Sequence, residues 1–150
     1  MKRYGLISLL AFTLVAVAME NTFSQKKSLA AQLAEKRDRR RIVLLYGRDS
    51  EASQQYLLDQ QNQFARHRED LAERDLDVIV VVASTLTAQD RQFLTASPYK
   101  LDPATNFQGW LIGKDGGIKD RFDKPVSPQA LFKQIDGMPM RRQEMKRNRG

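Results

Sequence analysis

The sequence predicts an α/β domain with a central mixed sheet of about four strands flanked by helices, in the order β-α-β-(α)-β-β-α. Three observations lead there. Residues 42–46 (IVLLY) and 77–83 (DVIVVVA) are short continuous apolar runs, the pattern of strands buried on both faces of a sheet. Between them runs a helical stripe of about six turns, and a strand, a helix and a second buried strand imply a parallel pair with a right-handed crossover. From Phe107 onward the chain reads as strand, glycine turn, strand and capped helix.

Taken in order, Ser28 is placed to cap a short helix carrying Leu29 and Leu33 on one face, which ends in the charge run of residues 35–41 (EKRDRRR). Gly47 closes the first strand. Asp49 or Ser50 is the expected acceptor for the free amides of the next helix, with Ser53 three residues further on. That helix is expected to reach Leu71, with Leu57, Phe64 and Leu71 at heptad spacing and Ala52, Ala65 and Ala72 completing the stripe. Consecutive valines at 80, 81 and 82 strengthen the second strand. Thr87 and Asp90 have capping-box spacing, with Asp in place of Glu, ahead of a short helix over residues 88–95. Pro98 and Pro103 mark residues 97–106 as loop. Residues 107–112 form the third strand, Lys114-Asp115-Gly116-Gly117 turns the chain, and residues 118–122 return antiparallel. Ser127-Pro128 opens a helix with Leu131, Phe132 and Ile135 facing the sheet, and Gly137 ends it.

The bulk numbers narrow the class. The 150-residue chain has a formal charge of +7 and no cysteine. Lys2 and Arg3 followed by an apolar run over residues 6–17 and the small-x-small Ala16-Val17-Ala18 predict a signal peptide over residues 1–18. As an uncleaved anchor the run falls short of the ~20 residues a spanning helix needs, and a lipoprotein would need a cysteine at the cleavage point. Residues 19–40 are then a polar lead and short helix, 41–137 the folded domain and 138–150 a basic C-terminal segment. The mature chain is expected in the periplasm or outside the cell, with no transmembrane span. There a cysteine-free domain takes its stability from its core rather than from disulfides.

The β-α-β half followed by a hairpin and a closing helix is also the order of the thioredoxin-like core. Residues 41–45 (RIVLL), 73–76 (ERDL), 111–119 (LIGKDGGIK) and 135–145 (IDGMPMRRQEM) resemble an exported family catalogued as domain of unknown function 4174. The family is similar to modules in animal secreted and matrix proteins, including sushi-repeat-containing and coiled-coil-domain secreted proteins. The resemblance spans nearly all of residues 41–145 and is most specific in the MPMRR run. It implies an extracytoplasmic thioredoxin-like domain and brings no catalytic residues with it.

In a thioredoxin-like enzyme the reactive thiols sit where the first strand meets the first helix, whose N-terminus lowers their pKa. Here that position holds Asp49, Ser50 and Ser53. A serine hydroxyl forms no redox-active thiolate, and as a nucleophile it needs a base in hydrogen-bond reach. The single histidine, His67, lies three helical turns or more along, and is expected as a solvent-facing helix residue. Helix capping is the simpler role for Asp49 and Ser50. No ligand spacing for a metal is present, no cofactor is implied, and Lys114-Asp115-Gly116-Gly117 lacks the spacing of a phosphate loop.

The C-terminal segment carries the functional expectation. Met138, Pro139 and Met140 precede Arg141, Arg142, Lys146, Arg147 and Arg149, opposed by Glu144 alone. If a helix resumes at Arg141, Met138, Met145 and the arginine stems can pack on the domain while the charged heads stay wet. This reads as a partner-binding surface for an anionic envelope surface or an acidic protein, joined by residues 37–41 if the two basic runs lie on one side; nucleic acid does not suit the compartment. The competing readings are a solvated basic tail on a structural envelope component, and a cysteine-free oxidoreductase or peroxiredoxin-like enzyme centred on residues 49–53.

Overall fold

The strand Arg41–Gly47 (β1) is buried along its whole length because it is paired on both sides and covered on both faces. The structure, a computed structural model, describes residues 26–150, so the predicted signal segment lies outside the described residues. The sheet has the order β2-β1-β3-β4. Here β2 is Leu76–Val82, β3 is Phe107–Ile112 and β4 is Ile118–Phe122. β2 is parallel to β1, while β3 is antiparallel to both β1 and β4, so the expected mixed sheet of four strands is present.

Side chains alternate along β1 and divide the core into two layers. Val43 and Leu45 join Leu57, Phe64, Phe107, Leu111, Phe132 and Ile135 on one face. Ile42, Leu44 and Tyr46 join Leu29, Leu94, Tyr99, Leu101 and Trp110 on the other. The first layer is roofed by helices Glu51–Ala65 (α2) and Pro128–Asp136 (α5), the second by Leu29–Lys36 (α1), Ala88–Thr95 (α4) and the loop between α4 and β3. Ser28, Ser50, Thr87 and Ser127 each accept a backbone N–H at the start of their helices, as the spacing predicts.

Four expectations need correction. β2 is an edge strand, with only Leu76 fully buried, because among the described residues no further strand pairs beyond it. The helix expected to run to Leu71 is broken at Arg66 and His67 into α2 and a short helix, Arg68–Glu73 (α3). His67 is not a free surface residue: its ring packs edge-on to Phe132, with Nδ1 3.1 Å from Asp70 Oδ2 and Nε2 3.3 Å from Gln129 Nε2. The buried stripe of α2 is Ser53, Leu57, Gln60 and Phe64, while Ala52 and Ala65 are exposed. Gln60 is placed inside because its amide mimics a strand neighbour, donating to Val126 O at 3.0 Å and accepting from Val126 N at 2.8 Å.

The chain does not trail off after α5. Met138 begins another helix, Pro139–Arg147 (α6), with proline in its first turn. α6 returns to the end of the sheet where β1 starts and β3 finishes, and side-chain ion pairs join it there.

Candidate functional site

The two ends of the sheet carry different chemistry. At the carboxyl ends of β1 and β2, Ser50 caps α2: its Oγ accepts Ser53 N at 3.3 Å and lies 2.7 Å from Ser53 Oγ. Ser53 is fully buried, so the two hydroxyls bond each other and Ser53 faces no substrate. Asp49 does not cap the helix; its Oδ1 accepts the Ser84 hydroxyl at 2.5 Å. His67 lies at the far end of α2, bound to Asp70 and Gln129, so the chain's single histidine is out of reach of either serine.

Beside Ser50 the surface sinks into a cavity of about 430 Å³ lined by Tyr46, Arg48, Asp49, Ser84, Ala83, Leu86, Arg91, Leu101 and Pro103. Arg48 donates to Ala104 O at 3.2 Å and Arg91 to Ala83 O at 3.4 Å, and neither forms an ion pair among the described residues. Burial pushes the Tyr46 hydroxyl above its ordinary pKa, against the opposing pull of Arg48 and Arg91.

At the opposite end four cations and four carboxylates interlock. Arg41, 1% exposed, donates to both oxygens of Glu144 at 3.1 and 3.2 Å and to Arg74 O at 2.9 Å. Lys114 in the β3–β4 turn bonds Glu144 at 2.7 Å and Asp75 at 2.8 Å. Arg74 reaches both oxygens of Asp136 at 3.1 and 2.8 Å and lies 4.5 Å over the Phe132 ring. Arg141 bonds Asp136 at 3.1 Å, Glu73 Oε1 at 2.6 Å and Glu73 O at 2.9 Å. Burial favours the protonated carboxyl of Glu144, but the hydrogen bonds from Arg41 and Lys114 outweigh it and hold the group below the usual carboxylate range. Asp136 is depressed in the same way, its burial outweighed by Arg74 and Arg141.

This network corrects one expectation. Arg141 does not keep its head in water; it is 1% exposed and its guanidinium lies inside the ion-pair network. Arg41 is likewise internal and meets α6 through Glu144, and Arg40 is paired with Asp75 and Asp77, so these two arginines of the first basic run add no free cation beside α6, while Arg37 and Arg39 are exposed. Met138 is half-buried against the core. Pro139, Met140, Arg142 and Lys146 are exposed, and Met138, Pro139 and Met140 edge a groove of about 230 Å³ with Lys119 and Asp115. Nothing in the sequence separates Arg141 from Arg142, because the phase of a new helix cannot be read until its first residue is known. The cavity arginines, Arg48 and Arg91, lie far apart in sequence and carry no motif.

The sequence matches the family described as Domain of unknown function (DUF4174) over residues 32–144, most of the chain and through the first half of α6. The chain belongs to the DUF4174 family. No curated protein matches this DUF4174 chain. Among solved structures, a DsbF homologue from Corynebacterium diphtheriae is similar with a TM-score of 0.50 and 16% identity, covering 71% of this chain and 76% of that one. A candidate thiol:disulfide interchange protein DsbE from Chlorobium tepidum gives a TM-score of 0.40 and 16% identity, over 69% and 82% of the two chains. The first likeness, with the sheet order, makes the DUF4174 domain thioredoxin-like in fold. Its own sequence holds no thiol for the chemistry those names denote.

Proposed function

We propose that this protein is an exported, non-catalytic binding module that engages an anionic surface or acidic partner through the outer face of α6. The observation that carries the reading is a fixed cationic stripe. Arg142 and Lys146 are spaced four residues apart on α6, which puts their side chains on one helix face, and Arg149 follows in the turn beyond the helix's end. All three are exposed, and none has a carboxylate partner among the described residues. Arg141 and Glu144 hold the helix from its inner side, so the outer cations are presented at low conformational cost. Met140 and Pro139 at its start supply an apolar contact beside them.

Export is supported by the basic, apolar and small-x-small order of residues 2–18. Residues 138–150 act in this reading as the contact segment of the domain that precedes them.

Sedimentation with vesicles containing anionic lipid, alongside capture from envelope extracts, tests the proposal. Binding is expected to weaken steeply between low and physiological ionic strength, and to be lost in Arg142→Ala/Lys146→Ala with Trp110 emission unchanged. Binding that ignores salt, or survives the double substitution, would remove α6 as the contact.

A further inference from the structure

The cavity at the other end of the sheet has the composition of a small-ligand site, and the α6 surface does not use it. Its volume of about 430 Å³ lies within the roughly 300–1,000 Å³ range of small-molecule pockets. Its floor is the side chain of Tyr46, a residue only 3% exposed. The Tyr46 hydroxyl makes no hydrogen bond among the described residues, yet no unpartnered polar atom there is sealed from solvent. The hydroxyl therefore opens on the cavity it lines. Burial keeps it protonated, a donor without an acceptor.

Two guanidiniums stand beside it. Arg48 and Arg91 each bond one backbone carbonyl and keep their other N–H groups free. Asp49 is the one carboxylate in the wall, and it is occupied by the Ser84 hydroxyl. Asp102, between the lining residues Leu101 and Pro103, also acts on the Tyr46 hydroxyl, so the two guanidiniums offset nearby carboxylates and are the groups in the wall with N–H donors to spare. The N-terminus of the fifteen-residue α2, at Ser50, adds its positive dipole end. The remaining wall is apolar, formed chiefly by Leu86, Leu101 and Pro103.

We propose that this cavity binds a small organic monocarboxylate, its anionic group held by Arg48, Arg91 and the Tyr46 hydroxyl and its hydrocarbon body lying against Leu86 and Leu101. A carboxylate carries one charge at neutral pH whereas a phosphate monoester carries about 1.5 to 2, so the nearby Asp49 and Asp102 repel the carboxylate less. The apolar wall selects an acid with a hydrocarbon portion over a bare inorganic anion. Guanidinium and carboxylate also match as bidentate partners.

Titration of the chain with hexanoate, followed by the backbone amide NMR shifts of Ser50 and Ser84, tests the assignment. Saturable binding is expected, weakened about tenfold or more by Arg48→Ala, by Arg91→Ala and by Tyr46→Phe. Both arginines are exposed and Tyr46→Phe removes one atom, so Trp110 emission should stay that of the parent in all three. Hexan-1-ol binding as tightly would show an apolar pocket indifferent to charge and overturn the proposal. Inorganic phosphate binding more tightly than hexanoate would overturn the carboxylate, and failure to saturate would overturn the site. The Arg142→Ala/Lys146→Ala variant should bind hexanoate as the parent does, so this test stands or falls apart from the α6 reading.

Discussion

Taking a guanidinium out of water costs several kcal/mol unless carboxylates and carbonyls replace its hydration. Arg41 meets that condition through Glu144 and Arg74 O, and Arg141 through Asp136 and Glu73. Glu144 is shared between Arg41 and Lys114, two cations at 1% and 9% exposure. Glu144→Ala leaves both buried and short of a partner, and is expected to destabilise the fold by about 3–5 kcal/mol. Arg142→Ala, two residues away on the outer face, should stay within about 0.5 kcal/mol of the parent. Urea unfolding followed by Trp110 emission separates the two, and similar losses would contradict the division of α6 into an inner and an outer face. At the sheet's other end, Tyr46→Phe removes a hydroxyl that bonds nothing among the described residues, so it should leave the unfolding midpoint unchanged.

Elements were legible where period and capping agree. β3, β4 and α4 fall on residues 107–112, 118–122 and 88–95, as read from apolar runs, glycines and the Thr87–Asp90 spacing. The misreadings share a physical cause, since each depends on what a segment packs against. The apolar run of β2 cannot announce that it ends the sheet, and Gln60 looks like a surface residue until Val126 is brought beside it. Tertiary partners likewise decide the orientation of Arg141, and gather Tyr46, Arg48 and Arg91 around one cavity. Gly109 is similar: the sequence shows only a glycine inside a strand, whereas a Cβ there would stand 2.0 Å from Phe122 Cε2 on the paired strand. Gly109→Ala must displace the Phe122 ring, and should cost about 1–3 kcal/mol by overpacking. Paired with Phe122→Leu, which relieves the crowding, it should cost less than the sum of the two changes. Strict additivity would show that the ring is not the obstacle.

At the scale of the whole molecule, the sheet separates a charged, closed end from an open one, and only the closed end holds the chain's last helix in place. That closure makes stability depend on acid. Glu144 and Asp136 titrate lower in the folded protein than in the unfolded chain, despite burial, because Arg41, Lys114, Arg74 and Arg141 hold their charged forms. Asp77 is lowered by Arg40 and Lys36 against the same opposition from burial. A depressed carboxylate contributes its full stabilisation above its unfolded pKa of about 4 and loses it as pH falls through the lower folded value. The urea midpoint should therefore hold steady around neutral pH and fall on acidification below about pH 5. Glu144→Gln removes one of these titrating groups while keeping the side chain's shape. Its midpoint should be lower than the parent's at neutral pH, and the gap should narrow as the parent's Glu144 takes up its proton. If the two midpoints fall in parallel across the acid range, the charge on Glu144 is not what fastens α6, and the helix is held by the packing of Met138 and the network around Asp136 instead.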